Sequence, residues 1–559
     1  MKSSTNPPKS KDMRAICIGI LSLAGVLTFS VTAWAAEIGP APVPGFKAPE
    51  PNEHPRLFFR KWEIPELRKR AETPEGKAIL DRLKFLLGST DQCPRKKIDT
   101  HHHRKAFDSW TLGHAMGYGL LYHLTGEKKY IAMSKEAMDI AYSGECDESF
   151  GGKPTYSWKK PESYLRAGPS LGMFAMGYDM CYDLWEPAYR EKVAKDILNY
   201  NVQGGAYRIT MKQLAEGGNH GPGSNHHGSA LGGAGLCMLA IAGDTGVDQK
   251  LVEQYLQTIE QRILTLFQEG MGDSGYFWEG VGEGQIASDT SFVPMLQAFR
   301  VAAGKDYAAG MPGPKALILR WTSWLMPNPE NGQPIFGYPK PLWTSGGYGG
   351  RIFARSGLSR GGQFCQGFGL LTDPAEKAAT LWVYKNVLEP TEQKDWGEYQ
   401  LGGKPSYDAI NLPHRAALSL INWPIGIAPK NPEGLVPKTA GDASKQGYCW
   451  FRKGWKDAND IFVGVHCGSR VMGRQSEEEV LVWGLGERHA FFWKRTGAPD
   501  FCEGYADGSG VVTHKENAVA VDYSGASGGD AVVVVAGPAA SSFKTLRKGQ
   551  GSRYSTVQF

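Results

Sequence analysis

Apolar residues in the first half of the chain recur every three or four positions, which places them on one face of an α-helix. The clearest such face runs from Leu251 to Phe267. Short connectors carrying helix breakers, such as Thr125-Gly126, separate the periodic segments. Successive helices joined in this way form antiparallel hairpins, and their number indicates a ring or barrel of helix pairs. A second such face is formed by Ile79, Leu80, Leu83, Leu86 and Leu87. Six further predicted helices are Ser109–Leu124, Lys128–Tyr142, Ser163–Leu184, Pro187–Tyr200, Ser229–Ala242 and Ser288–Ala303.

The pattern changes to strands beyond about residue 345. Short β-branched or aromatic runs bounded by Gly, Asp or Asn predict a sandwich of antiparallel sheets. We expect an α+β chain with a helical domain over residues 61–340 and a β-sandwich over 341–559, joined near the proline-rich segment 326–339. Segment 374–437 has a mixed pattern. The predicted strand segments are GRIFARSG, GYCWFRKGW, NDIFVGVHCG, EEVLVWGLG, RHAFFWKR, NAVAVDYSG and DAVVVVAG.

The N-terminus has the pattern of a secretory signal peptide. A leader with four basic residues precedes an apolar run over residues 15–32, and Ala33-Trp34-Ala35 supplies small residues at the two positions that a signal peptidase reads. Cleavage before Ala36 would leave a proline-rich segment over residues 36–60 and a periplasmic or secreted protein with no membrane segment. A retained anchor is the alternative, because the apolar run approaches the length of a membrane span.

Composition limits what the mature chain can do. Removal of residues 1–35 takes away four cations and one anion and lowers the net charge from +5 to +2, so net charge favours no polyanionic ligand. About 520 residues are too many for one ordinary core. The remaining cysteines are scattered without a C-x-x-C pair, which argues against zinc-ribbon and thioredoxin-like sites. Cys181 and Cys237 lie in apolar helical runs and are expected to be buried thiols.

The densest cluster of candidate chemistry is the segment GNHGPGSNHHG, residues 218–228, directly before an apolar run rich in small residues. Its polar side chains include Asn219, His220, Asn225, His226 and His227. They would lie at or near the start of a buried helix, where backbone N–H groups and the helix dipole favour an anion such as a substrate carboxylate. The alternative is a polar loop with a histidine-rich cap.

Several segments together resemble the heparinase II/III-like and alginate-lyase-like polysaccharide lyases. The resemblance lies in residues 54–80, 121–141, 176–193 and 273–284, in the stretch SNHHGSALGGAGLCMLAIAGD, and in YCWFRKGWKDANDIFVGVHCGSR in the second half. That family implies an (α/α) toroid followed by an antiparallel β-sandwich, with the active site in the cleft between them. The expected architecture agrees with the periodicity of the chain.

The resemblance implies β-elimination at a uronic acid. The enzyme must neutralise the substrate carboxylate so that the C5 proton can leave, and preorganised donors do this. Asn225 with His226 or His227 would form the carboxylate clamp and the base, and Tyr276 is the nearest phenol for the acid. This chemistry requires no metal, and no clear ligand motif indicates even a structural divalent ion. The candidate substrate-binding residues are His220, Trp278, Glu279, Tyr348, Arg351 and Arg474.

The chain departs from that family at two places. Glu283 stands where many members carry a catalytic Tyr, and Arg474, Gln475 and Glu478 stand where histidines and an acid are expected. Glu279 and Glu283 lie four residues apart, and a pair of carboxylates facing a sugar is the equipment of a glycoside hydrolase. Alternatively, Glu279 braces its glycine-rich turn and Glu283 is solvated.

Other segments of the chain are less informative about its function. The basic run CPRKKIDTHHHRK, residues 93–105, is either a rim that attracts acidic polymer or a solvated loop. Tyr348 and Arg351, in the glycine-rich segment 346–357, either reach the cleft or form a turn. The sequence contains no G-x-S-x-G elbow, Walker loop or H-E-x-x-H motif. Export and the lack of a recognition motif argue against nucleic acid.

The sequence thus favours an exported lyase that acts on a uronate-containing glycan, sulfated or not, with an acidic polysaccharide or oligosaccharide as its partner. A glycoside hydrolase that uses Glu279 and Glu283 and a catalytically silent glycan-binding protein are the alternatives.

Overall fold

A computed structural model describes the chain from Gly39 onward, except for residues 89, 98–108, 151–152, 274, 276, 278–290, 324–362, 389–412, 442–447, 453, 457–461, 467–476, 485–486, 496–510, 516–517, 523–530, 537–543 and 549–559. The described part is mostly helical up to residue 422 and forms antiparallel sheets beyond it. Its helices are α1 Ile64–Glu72, α2 Pro74–Leu86, α3 His114–Thr125, α4 Lys129–Ser143, α5 Tyr164–Cys181, α6 Pro187–Leu198, α7 Met211–Ala215, α8 Asn225–Ile241, α9 Gln249–Thr265, α10 Val293–Ala303, α11 Tyr307–Gly310, α12 Pro312–Ser323, α13 Gln363–Leu370, α14 Pro374–Val383 and α15 Pro413–Asn422.

Six of these helices contact one another in a closed circuit. In chain order α3, α5, α8, α10, α13 and α15 each contact the next, and α15 contacts α3. Nearly every residue of α5 and α8 is buried, which is the pattern of helices surrounded by protein on all sides. By contrast, α9 is amphipathic and buries only Val252, Ile259 and Ile263. Helices α4, α6 and α9 pack against members of the circuit.

Small residues allow the members of the circuit to approach closely near their starts. A Cβ on Gly168 of α5 would lie 1.8 Å from the Ser229 carbonyl oxygen of α8, and a Cβ on Gly232 of α8 would lie 2.4 Å from the backbone nitrogen of Phe292. No other residue fits at such separations. The small-residue run of α8 therefore lets α8 pack directly against α5 and against the segment that leads into α10.

A buried ionic network holds the segment before α1 against the ends of two circuit helices. His54 Nδ1 lies 2.7 Å from Asp179 of α5, and its Nε2 lies 3.0 Å from Asp244, which follows α8. Arg56 pairs with Asp244 and also donates to the Ala242 carbonyl. Residues far apart in the chain are thereby fixed together.

Two antiparallel sheets make up the C-terminal part. The first contains β7 Thr439–Gly441, β8 Tyr448–Arg452, β9 Phe462–His466, β10 Glu477–Gly484 and β11 Glu487–Arg495, paired in chain order. The second contains β12 Val511–Lys515, β13 Ala518–Asp522, β14 Ala531–Ala536 and β15 Lys544–Lys548. Two-residue strands β1 Ala41–Pro42 and β6 Lys305–Asp306 pair, as do β2 Glu148–Phe150 with β3 Lys153–Tyr156 and β4 Asn201–Gly204 with β5 Tyr207–Thr210.

Side chains at the end of β8 join the first sheet to the helices. Arg452 Nη1 donates to the Ser323 carbonyl at the end of α12 at 2.8 Å, and Trp455 Nε1 donates to the Thr322 carbonyl at 2.9 Å. The Arg452 guanidinium also lies 3.9 Å from the Trp455 ring centroid. The last carbonyls of a helix have no partner within the helix, so these donors satisfy α12.

Most predicted helices are confirmed, with shifted ends. Helix α3 begins at His114 rather than Ser109. Ser109 forms a β-bridge, residues 112–113 form a turn, and Gly113 is the N-cap residue without a capping side chain. Helices α13, α14 and α15 lie beyond residue 340, where the strand pattern was expected to prevail, and α15 packs against α3. The predicted linker 326–339 and the segment GRIFARSG lie outside the described residues.

Cys181 and Cys237 are buried free thiols, as predicted. No helix in the described part of the chain is long and apolar enough to cross a membrane.

Candidate functional site

The first turn of α8 carries the polar cluster that the sequence singled out. The Ser224 side chain accepts a hydrogen bond from the His226 backbone N–H at 3.3 Å and caps the helix. Asn225, His226 and His227 therefore belong to α8, and the expectation that the helix begins at Ser229 is wrong by four residues. Polar residues are tolerated there because the first backbone N–H groups of a helix need partners other than its own carbonyls.

His227 has a structural position. Its side chain is almost fully buried, and its Nδ1 lies 2.9 Å from the His220 carbonyl oxygen. A carbonyl only accepts, so Nδ1 carries the proton in the neutral ring and Nε2 holds a lone pair. That Nε2 is buried and has no hydrogen-bond partner in the described part of the chain. Burial is the main cause that lowers the pKa of His227 to about 4, so the ring is neutral near pH 7.

A glycine makes room for this histidine. Gly217 has a φ of +87°, and a Cβ at this position would lie 2.2 Å from two atoms of the His227 ring. Both the backbone conformation and the close approach require glycine here. The loop from α7 to α8 thus folds over His227 and carries His220 toward His226.

His226 is half-buried and lies beside His220. The two ring centroids are 4.2 Å apart, and the planes are inclined by 32°. The Nδ1 atom of His226 is buried without a hydrogen-bond partner among the described residues. Burial, followed by the charges of His220 and Arg166, lowers the pKa of His226 to about 4. Near neutral pH this histidine therefore presents a neutral imidazole, the form that can accept a proton.

The start of α5 completes the described part of this cluster. Tyr164 is buried, its ring centroid lies 6.2 Å from that of His220, and its hydroxyl donates to the Arg208 carbonyl at 3.3 Å. Arg166, two residues further along α5, is half-buried and its charge acts on His226. Asn225 is buried in the same first turn of α8. A neutral base, an amide and a guanidinium thus meet at adjacent helix starts, an arrangement suited to an anion with a removable proton.

Sequence reasoning missed Tyr164 and Arg166, although it predicted a helix from Ser163. The hairpin arrangement predicted from the sequence could have indicated them, because it makes α5 a neighbour of α8.

Two further histidines at helix starts were also missed. His114 of α3 and His414 of α15 are almost fully buried, and burial is the main cause that lowers the pKa of each, that of His114 to about 3. Both are core residues rather than open binding groups.

The other predicted site residues lie outside the described part of the chain, namely Tyr276, Trp278, Glu279, Glu283, Tyr348, Arg351 and Arg474. Of the basic run 93–105, residues 98–105 also lie outside it. The described Arg95 forms ion pairs with Glu136 and Glu145 at 2.8 and 2.5 Å, so this cation is already paired. Within the described residues, no group of three or more His, Cys, Asp or Glu side chains could hold a metal ion.

Comparisons with known proteins assign no family. No protein-family model and no curated protein matches the chain. Among solved structures, it is similar to a mutant of the heparan sulfate lyase HepC from Pedobacter heparinus, at 11% sequence identity and a TM-score of 0.35, over 87% of this chain and 74% of that chain. Both the identity and the TM-score are too low to assign a fold or an activity.

Proposed function

We propose that this protein is an exported polysaccharide lyase that cleaves a uronate-containing glycan, sulfated or not, by β-elimination. The proposal includes a toroid of helical hairpins followed by an antiparallel β-sandwich. The closed circuit of α3, α5, α8, α10, α13 and α15 supports the toroid, because hairpins arranged in a ring must close in this way. The two antiparallel sheets beyond residue 438 support the second domain.

The observation that carries the chemistry is the state of His226. A base for a C5 proton must be neutral, partly accessible and close to groups that hold the neighbouring carboxylate. His226 is half-buried, and its lowered pKa keeps the ring neutral. His227 is buried under Gly217, so of the two histidines His226 is the proposed base.

The proposed reaction begins with the substrate carboxylate at the start of α8. The Asn225 amide and the Arg166 guanidinium donate to it, and the N-terminal dipole of α8 adds to their effect. The approaching carboxylate raises the pKa of His226 toward the pH of the reaction, because a negative charge favours the imidazolium. His226 then takes the C5 proton, the C4–C5 double bond forms, and the bond from C4 to the O4 leaving oxygen breaks.

Three residues beyond the described part have proposed roles. Tyr276 protonates the leaving oxygen, and Arg474 binds a carboxylate or sulfate in bidentate fashion but moves no proton near neutral pH. We expect Tyr276→Phe to lower kcat and Arg474→Ala to raise KM with little change in kcat. Glu283 would repel a substrate carboxylate unless it is protonated or paired. Full activity of Glu283→Gln on uronate glycans would make Glu283 a bystander.

A panel of uronate polymers tests the proposal directly. Elimination leaves a conjugated C4–C5 double bond that absorbs in the near ultraviolet, whereas hydrolysis leaves none. We expect an absorbance increase with at least one polymer. His226→Ala should lower the turnover by about a hundredfold or more, the effect of losing a general base, with an unchanged circular dichroism spectrum. New reducing ends without this absorbance would indicate a hydrolase, and binding without either would indicate a silent binding protein.

A further inference from the structure

A large cavity lies away from the histidine cluster, at the other end of α10. Its volume is about 1250 Å³, which is ample for an oligosaccharide. The C-terminal parts of α10, α13 and α15 line it, together with α1 and the segment that precedes it. The start of α10 packs against Gly232 of α8, whereas its cavity-lining residues, Gln297, Arg300 and Val301, lie nearer its other end.

Three cations lie together in this cavity. Arg70 of α1, Arg300 of α10 and Lys377 of α14 all line it, and each is half-buried. Burial, followed by the charges of Arg300 and Arg70, lowers the pKa of Lys377. Burial is also the main cause that lowers the pKa of Arg70 and of Arg300. The charges of the two arginines therefore disfavour the charged form of Lys377 in this structure.

Within the described part of the chain, no acidic side chain neutralises them at close range. Arg70 donates to backbone carbonyls at the end of α15, and Arg300 donates to the Leu370 carbonyl at 3.3 Å. Among the described ion pairs, none joins an acid to Arg70, Arg300 or Lys377. The acidic residues on the cavity wall, Glu63, Glu66 and Asp306, act on Arg70 and Arg300 only over longer distances.

Lys377 differs from the two arginines because no carbonyl or carboxylate among the described residues accepts a hydrogen bond from its ammonium. Its ammonium carries three donors, and no hydrogen bond from it occurs in the described part of the chain. A half-buried ammonium that is repelled by two guanidinium groups is costly to the fold. An anionic ligand would remove that cost.

Aromatic side chains share the cavity with the cations. Trp62 is exposed over 59% of its surface, and the Arg60 guanidinium lies 4.3 Å from its ring centroid. Phe368 and Trp423 also line the cavity but are almost fully buried, so of these three rings Trp62 presents the exposed face. Flat aromatic faces stack on sugar rings, and cations bind carboxylate or sulfate groups.

We propose that this cavity is a second binding site, remote from the histidine cluster, for an acidic oligosaccharide whose carboxylate or sulfate contacts Lys377, Arg300 and Arg70. The assignment of a sugar rests on the proposed function, whereas the anion site rests on the three cations. Trp62 supplies a stacking surface for the sugar ring.

Isothermal titration calorimetry tests this site in the His226→Ala background, where the ligand is not consumed. The probes are a uronic-acid trisaccharide, a neutral glucose trisaccharide and inorganic sulfate. We expect the acidic trisaccharide to bind and the neutral one not to bind. Adding Lys377→Met should weaken one class of sites by about tenfold or more, the effect of losing a charge-assisted hydrogen bond. Lys250→Gln, at an exposed lysine of α9, is the matched control and should leave the isotherm unchanged.

Thermal unfolding separates a ligand site from a structural cluster. Because the three cations repel one another, Lys377→Met should raise Tm in the absence of ligand while it weakens binding. A lowered Tm together with an unchanged isotherm would overturn the proposal. Binding of sulfate without the trisaccharide would overturn the sugar ligand.

The two proposals fail in different ways. Elimination activity with an isotherm that neither Lys377→Met nor Trp62→Ala alters would refute the second site alone. Binding that depends on Lys377, in a protein without elimination activity on any uronate polymer, would refute the lyase alone.

Discussion

Replacing His227 by Leu should remove one defined part of the acid sensitivity of this fold. His227 is neutral in the folded protein until the pH falls to about 4, whereas an ordinary histidine takes up a proton near pH 6.5. Between these values the unfolded chain binds a proton that the folded chain refuses. The stabilising contribution is therefore complete above pH 6.5 and is lost as the pH falls from 6.5 to about 4.

The structure gives the size of this effect. Protonation would place an N–H on Nε2 of His227, which is buried and has no acceptor among the described residues. With a pKa of about 4 in place of 6.5, the linkage between protonation and folding costs the folded state about 2 kcal/mol at about pH 5 relative to about pH 7.5. His227→Leu removes this linkage and also the hydrogen bond to the His220 carbonyl. The variant should be less stable than the wild type near pH 7.5 and should lose about 2 kcal/mol less on acidification.

Urea unfolding followed by tryptophan fluorescence measures both quantities. The wild type and His227→Leu are compared at about pH 7.5 and about pH 5, and the difference between their two pH dependences isolates His227 from the other buried histidines. Lys250→Gln serves as the control with a wild-type pH dependence. If His227→Leu loses as much free energy of unfolding on acidification as the wild type does, the reasoning about Nε2 is refuted.

Two further predictions concern stability at neutral pH. Asp244→Asn should lower the free energy of unfolding by about 3 kcal/mol or more, because it breaks a buried ionic network. Glu191→Gln, which breaks a solvent-accessible ion pair with Lys195, should cost less than about 1 kcal/mol, and equal losses would show that the buried network contributes no more than a surface pair. Gly217→Ala should lower Tm clearly more than Gly126→Ala. Both positions have a positive φ, but only a Cβ at position 217 would clash with the His227 ring. Equal Tm values for the two variants would contradict this packing.

Local patterns in the sequence predicted the helices well. Helix α9 follows directly from the apolar face between Leu251 and Phe267, and the predicted segment Pro187–Tyr200 matches α6 to within two residues. The start of α8 was missed because the polar residues 225–228 hid the helix, although Ser224 is a favourable capping residue. A prediction that weighted the Ser224 cap above hydrophobicity would have started α8 at Asn225.

Contacts between distant residues could not be predicted from one sequence. Asp179 and Asp244 lie 125 and 190 residues from His54, and no spacing rule joins them. The same holds for Lys377, because the neighbouring cations Arg70 and Arg300 come from two other helices. The cluster of His220, Asn225, His226 and His227 was found because it is local, whereas Tyr164 and Arg166 required knowledge of which helices are neighbours.

The mass of the product released from a uronate polymer tests the central claim most directly. Oligosaccharides formed by elimination are lighter by one water molecule than those formed by hydrolysis. We predict that wild-type protein releases the lighter series and that His226→Ala, at equal concentration and with an intact fold, releases about a hundredfold less of it. Release of the heavier, hydrated series, or an undiminished yield from His226→Ala, would contradict the account.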